Sequence, residues 1–267
     1  MTMPIDLVLV RHGESEGNVA NKLSRRGDDS AFTEDFLRRH SSTWRLTERG
    51  LEQARQAGEW IRKNIGDHFD RYYVSEYVRA KETAARLGLP TAKWYCEYYL
   101  RERDYGLIDV MTDRDRRERF SAEIARREAD GLYWIPPNGE SLVQASLRVD
   151  RVLNTLHREC ADKRVIIVSH GEIMWLFRIR LERLTQRQYR ALVQSKRSAD
   201  RIYNCQIIHY TRRDPETGYL AKYLRWRRSV CPTDLSLSQN EWETITRPSF
   251  SNEDLLAEIE PPFKEDA

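Results

Sequence analysis

Asp6 to Asn18 reads D-L-V-L-V-R-H-G-E-S-E-G-N, and its two halves decide the fold. Leu7 to Val10 is a short, continuous apolar run of the kind found in a strand covered on both faces, and it stops abruptly at Arg11 and His12. The pattern recurs further on, where Arg164 to Ser169, R-V-I-I-V-S, is followed at once by His170 and Gly171. Two buried strands therefore deliver a histidine at their carboxyl ends, the place where open α/β sheets hold their ligands.

Segments of helical period lie between these strands. After the cap Thr47, residues Leu51, Ala54, Gly58, Ile61 and Ile65 fall on one stripe. Ser141 and Gln144 form a capping box, and Leu142, Ala145, Val149, Val152, Leu153 and Leu156 continue as an apolar face. A short strand over Tyr72 to Val74 precedes a helix from near Ser75 to about Leu87. Ile202 to Thr211 and Tyr219 to Trp226 flank the turn-rich R-R-D-P-E-T-G, which predicts a hairpin. Alternating strands and helices imply an α/β layered domain, with a mostly parallel sheet and an antiparallel portion from the late hairpin.

Two stretches stand apart within the 267 residues. Ser24 to Trp44 reads as a polar insertion into a domain spanning residues 1–228. Residues 229–267 form a C-terminal extension, extended or partly disordered, whose Trp242, Phe250, Leu255 and Leu256 are the residues able to dock on the body.

Lys and Arg number 45 against 42 Asp and Glu, so the net charge of +3 gives little attraction to nucleic acid or an anionic membrane. Arg114 to Arg127 mixes both signs at helical spacing and reads as a solvated, salt-bridged helix rather than a nucleic-acid patch. No stretch approaches the roughly eighteen apolar residues of a membrane helix, and the first apolar run lacks the basic region of a signal peptide. Cys96, Cys160, Cys205 and Cys231 are widely spaced with no histidine at ligand spacing, which predicts free thiols in a reducing cytoplasm and no metal site. His40, His68, His157 and His209 lack any supporting pattern and read as surface or packing residues.

An isolated R-H-G at a strand end would read as solvated charge. The longer string adds Ser15 and Asn18, so a cation, an imidazole, a close backbone approach and neutral donors stand together, as phosphate binding requires. This string resembles the R-H-G-x-S-x-x-N signature of the histidine phosphatase superfamily, which includes phosphoglycerate mutases and many phosphatases. Four more segments agree, in the family's order, between about residues 5 and 176. S-E-Y-V-R-A-K-E-T-A at Ser75 to Ala84 places Arg79 as a second phosphate-binding arginine, and L-R-E-R-D-Y-G at Leu100 to Gly106 places Glu102 as proton donor. P-N-G-E-S at Pro137 to Ser141 resembles the G-E-S that opens a late helix, and V-S-H-G at Val168 to Gly171 places His170 as the second histidine.

The resemblance implies a three-layer α/β/α sandwich of the phosphoglycerate mutase type and a phosphohistidine on His12. Arg11, Arg79 and His170 would clamp the transferring group, with Asn18 also on the phosphate. Glu102 would protonate the leaving group and then deprotonate water, a role that needs a raised pKa. Ser15, Arg103 and Tyr105 are candidate substrate contacts, Tyr105 being either that or an apolar wall, and Glu140 either caps a helix or sits near the site. No cofactor or metal is required, and the partner is a small-molecule phosphate ester.

The acceptor stays open between water, in a phosphatase, and a returning monophosphate, in a mutase. Gly17 stands where the mutases usually carry Trp, and the Ser24 to Trp44 insertion has no counterpart there, which favours the phosphatase. L-R-E-R-D-Y-G is close to the mutases' acid segment and keeps the alternative. A non-catalytic phosphate binder would require a lost catalytic residue, and none is missing. Substrate identity and oligomeric state are not set by the sequence.

Overall fold

The computed structural model describes residues 2–259. In chain order the main elements are β1 (Asp6–Arg11), α1 (Glu16–Ser24), α2 (Glu34–Arg38), α3 (Glu48–Asn64), β2 (Arg71–Val74), α4 (Val78–Arg86), β3 (Trp94–Cys96), α5 (Asp113–Arg119), α6 (Ser121–Asp130) and α7 (Leu142–Glu159). They continue with β4 (Arg164–Ser169), α8 (Gly171–Glu182), α9 (Gln186–Gln194), β5 (Ile207–Thr211), β6 (Trp226–Val230), β7 (Gln239–Thr244) and α10 (Asn252–Ile259).

The strands form one sheet in the order β3-β2-β4-β1-β5-β6-β7. The β1–β4, β2–β4 and β2–β3 pairings are parallel, whereas β5, β6 and β7 join antiparallel. Side chains alternate across a strand, so Leu7 and Leu9 enter one apolar cluster and Val8 and Val10 the other. Val165 and Ile167 join the first with Val149, Val152 and Leu156 of α7 and Phe177 of α8, while Ile166 and Val168 join the second with Ala54 and Ile61 of α3 and Ala84 of α4. Both faces are covered, which explains the unbroken apolar run and gives three layers. Each of these large aliphatic side chains contributes about 1.5–3 kcal/mol by leaving water. The caps expected at Thr47 and Ser141 are present, the latter with Gln144 completing its capping box.

The late hairpin differs from its expected limits. Ile202 to Gln206 is a turn, with Cys205 at φ +55° and the Gln206 amide donating to the Tyr203 carbonyl, so the first strand starts only at Ile207. The second starts at Trp226, because the Asp214 side chain accepts from the Glu216 and Thr217 amides and folds a tight turn. Beyond it Ala221 and Leu224 drop into the interior and pull the backbone off the ladder.

The boundary expected at Arg228 falls inside β6, and the extension adds a seventh strand to the sheet edge, so the antiparallel part exceeds a hairpin. Trp242 docks with its ring 5.0 Å from that of His209, whereas Phe250, Leu255 and Leu256 are exposed. The rest of the extension, from residue 260, lies outside the described residues. Arg114 to Arg127 is two helices broken at Phe120, not one. Among the described residues no helix is long and apolar enough to cross a membrane.

Candidate active site

Strands β1 and β4 are neighbours in register, with Arg11 opposite Ser169, so the histidines that follow them meet with ring centroids 5.1 Å apart. His12 is 2% exposed. Its Nδ1 lies 2.7 Å from the Gly13 carbonyl oxygen, which can only accept, so Nδ1 carries the proton. Nε2 is then the lone-pair nitrogen, and it accepts from the Arg79 Nε–H at 3.2 Å. Burial first, then the charges of Arg79 and Arg11, hold the His12 imidazole well below its ordinary pKa. The ring is a neutral imidazole in a fixed tautomer, with the nitrogen lone pair on Nε2 available for chemistry.

Arg79 sits in the first turn of α4, with a second guanidinium nitrogen donating to the Ser41 carbonyl at 2.6 Å. Arg11 donates to the Ile202 carbonyl at 2.8 Å, from the turn that preempts the start of β5. His170 is fully buried and is hydrogen-bonded through Nε2 to the Ser75 hydroxyl at 2.8 Å. Burial and then Arg79 hold it well below its ordinary pKa as well, and its Nδ1 is buried without a hydrogen-bond partner.

A cavity of about 760 Å³ opens in front of His12. Of the residues expected from sequence, Arg11, His12, Ser15, Asn18, Arg79, Glu102 and Tyr105 line it. Ser15 caps α1 by accepting from the Asn18 amide, and Asn18 Oδ1 accepts from the Ser15 amide and from Asn204 Nδ2, which also reaches the His12 carbonyl. Burial first, then the nearby Glu172 carboxylate, raise Glu102 to about 7, although Arg79, the Arg103 amide and Arg11 pull the other way. Tyr105 is a wall residue whose hydroxyl donates to Glu172 Oε1 at 2.7 Å.

Arg103 does not line this cavity. It is 4% exposed, donates to the Glu140 and Trp134 carbonyls at 2.6 and 2.9 Å, and stacks between the Tyr105 and Trp134 rings. Its guanidinium holds the loop, and it lines a neighbouring cavity with Trp134 and Glu172 rather than the one in front of His12. Glu140 neither caps a helix nor lines the cavity: it pairs with Arg148 at 2.7 and 2.8 Å. Arg148 in turn donates to the carbonyls of Tyr99 and Arg101 at 2.6 and 3.1 Å, so this pair fixes the loop that carries Glu102.

The sequence points to the Ser24 to Trp44 insertion and the Met111 to Trp134 segment as sources of specificity, but names no single residue of the far wall. Arg116, Arg117, Ile124 and Arg127 from α5 and α6 face the cavity, although their segment reads as a solvated helix. Lys22, Arg25 and Trp44 join them. Seven cations (Arg11, Lys22, Arg25, Arg79, Arg116, Arg117, Arg127) thus stand against three carboxylates (Glu102, Asp109, Asp113), a local anion preference that the near-neutral chain conceals. The signal for this wall in the sequence is the density of basic residues in these two segments, which a solvated surface explains equally well.

The 2,3-bisphosphoglycerate-dependent phosphoglycerate mutase of Parvibaculum lavamentivorans is 35% identical over 202 residues, covering 71% of this chain and 86% of that protein. The mutase of the same name from Methylobacterium radiotolerans is 32% identical over 188 residues, covering 68% and 81%. In fold, the chain is similar to the alpha-ribazole phosphatase of Shigella flexneri, with TM-score 0.60, 24% identity and coverage of 82% and 95%. It is also similar to mycobacterial glucosyl-3-phosphoglycerate phosphatase, with TM-score 0.58, 22% identity and coverage of 77% and 90%. The profile of the histidine phosphatase superfamily (branch 1) matches residues 7–206, and the chain belongs to that family.

Proposed function

We propose that the protein is a phosphomonoester hydrolase that passes the phosphoryl group of a small-molecule ester first to Nε2 of His12 and then to water. The observation that carries this reading is a neutral His12 whose Nδ1 is tied to the Gly13 carbonyl, facing a cationic cavity that also holds a carboxyl raised to about 7.

In the first step Nε2 forms a bond to phosphorus, the ester P–O bond breaks, and the leaving alkoxide takes the proton of Glu102. Charge on the equatorial oxygens of the transferring group is met by Arg11 and Arg79, and by the amide of Asn18 whose oxygen is already engaged. In the second step ionised Glu102 takes a proton from water, the water oxygen bonds to phosphorus, and the P–N bond breaks. Inorganic phosphate leaves and the neutral imidazole returns. The residues suffice for this chemistry with no cofactor. The four unpaired cysteines suit a reducing cytoplasm.

The names of the curated relatives favour a second reading, a mutase in which the phosphohistidine returns its group to a bound monophosphate. Gly17 and the insertion favour water as acceptor. The test is a phosphatase screen with wild type and His12→Ala, followed by 3-phosphoglycerate with a 2,3-bisphosphoglycerate primer. Free phosphate supports the hydrolase, 2-phosphoglycerate the mutase, and full activity of His12→Ala refutes both.

A further inference from the structure

The segment Ser24 to Trp44 reads as an addition to the domain, yet two of its residues reach the reacting centre. The Ser41 carbonyl accepts from Arg79 at 2.6 Å, and the Arg79 guanidinium lies 5.9 Å from the centroid of the Trp44 ring and 4.9 Å from that of Tyr77. Trp44 is 5% exposed, stacks on Phe36 at 4.9 Å, and lines the cavity.

Gly17 explains how the ring fits. It is the second residue of α1, without the positive φ that calls for glycine, so the backbone conformation does not explain it. A Cβ there would stand 2.1 and 2.3 Å from carbons of the Trp44 ring. Only glycine lets the indole lie against the helix backbone here. The insertion and the two residues after it are fastened to the body: Glu16 accepts from Arg39 at 3.1 Å and from the Arg45 amide at 2.9 Å, Glu82 accepts from the Leu46 amide at 2.7 Å, and Ser24 Oγ accepts from the Asp113 amide at 2.7 Å.

We propose that the insertion is a working part of the phosphoryl site, with the Ser41 carbonyl and the Trp44 ring as positioning groups for Arg79 and Gly17 as the socket for that ring. Anchoring one terminal nitrogen on Ser41 fixes the rotation of the guanidinium, so its Nε edge is presented toward His12. The inference rests on phosphoryl transfer at His12.

The test compares Gly17→Ala, Trp44→Leu, Trp44→Phe and Gly17→Ala/Trp44→Leu as full-length proteins, reading kcat, KM, inhibition by inorganic phosphate and Tm. Gly17→Ala is expected to lower kcat about 100-fold and to weaken phosphate inhibition, since a displacement of about 1 Å in a positioning group has that effect. The double variant recovers activity relative to Gly17→Ala by at least about fivefold, because leucine leaves room for the new Cβ and contacting residues are not additive. Trp44→Phe retains phosphate inhibition that Trp44→Leu loses, which keeps the test alive if Gly17→Ala fails to fold. Additive effects, or variants that lower Tm while leaving kcat and phosphate inhibition unchanged, would overturn the proposal. Turnover by His12→Ala would instead refute the phosphohistidine reading, while phosphate inhibition still reports on Arg79.

Discussion

Arg79 Nε donates to His12 Nε2 at 3.2 Å, so the lone-pair nitrogen of the proposed nucleophile faces the cation proposed to receive the phosphate oxygens. The Gly13 carbonyl on Nδ1 makes this geometry possible by removing the other tautomer.

Imidazole ¹⁵N spectra should show His12 protonated on Nδ1 and uncharged at its ordinary pKa of 6.5, because burial and two arginines depress its pKa. A His12 signal that titrates at its ordinary value of 6.5 would contradict the assignment. His12→Ala should lose acid-labile phosphate labelling and at least about 1,000-fold in kcat/KM.

Glu102, raised to about 7, should act as an acid only while protonated. The rate of His12 phosphorylation should therefore fall as pH rises through about 7, and Glu102→Gln should flatten that limb with a loss of about 10²–10⁴-fold. Single-turnover phosphorylation that stays constant from pH 4 to 8 would exclude Glu102 as the donor.

The Glu140–Arg148 pair is mostly buried, with side chains 15% and 9% exposed, and holds the Glu102 loop from below. Arg148→Met should cost about 3 kcal/mol, since it leaves a carboxylate and two carbonyls without their donor, and Glu140→Gln should cost less. Denaturant titrations rank the two. Arg148→Met should also lower kcat more than it raises KM.

Burial alone would raise the Asp6 carboxyl, but the His209 hydrogen bond at 3.0 Å, its charge, Thr211 and Arg164 outweigh it and lower Asp6 to about 2. On acidification the unfolded chain takes up this proton first. The stabilisation, about 2 kcal/mol, is therefore complete well above the ordinary value of 3.8 and is lost as pH falls through 3.8 toward 2. Thermal melts should show Asp6→Asn less stable than wild type at pH 7, with the gap closing near pH 2.

Much of the site was legible because it depends on local features. An apolar run that ends in Arg-His marks a buried strand and what it delivers, and a capping box marks a helix start, whatever surrounds them. These fixed the β1 and β4 histidines, the helices from Thr47 and Ser141, and the residue types needed for phosphoryl transfer. The sequence by itself thereby determined the α/β class and placed His12, Arg79 and Glu102 together through the family resemblance.

Only the tertiary structure decided which partners consume those side chains. Arg103 and Arg116 are both arginines in charged stretches, and both are held by carbonyls, yet Arg103 on Trp134 and Glu140 lies off the cavity in front of His12 while Arg116 on Ile108 and Asp109 lines it. Glu140 was ambiguous until Arg148, eight residues away on α7, came within 2.7 Å. The extension became a strand because β6 offered an open edge, and the insertion became a wall because Gly17 lets Trp44 lie on α1. Hydrogen bonds and close contacts between segments distant in sequence carry no local periodicity, so they are set by the packing of the whole chain rather than written in any one stretch of it.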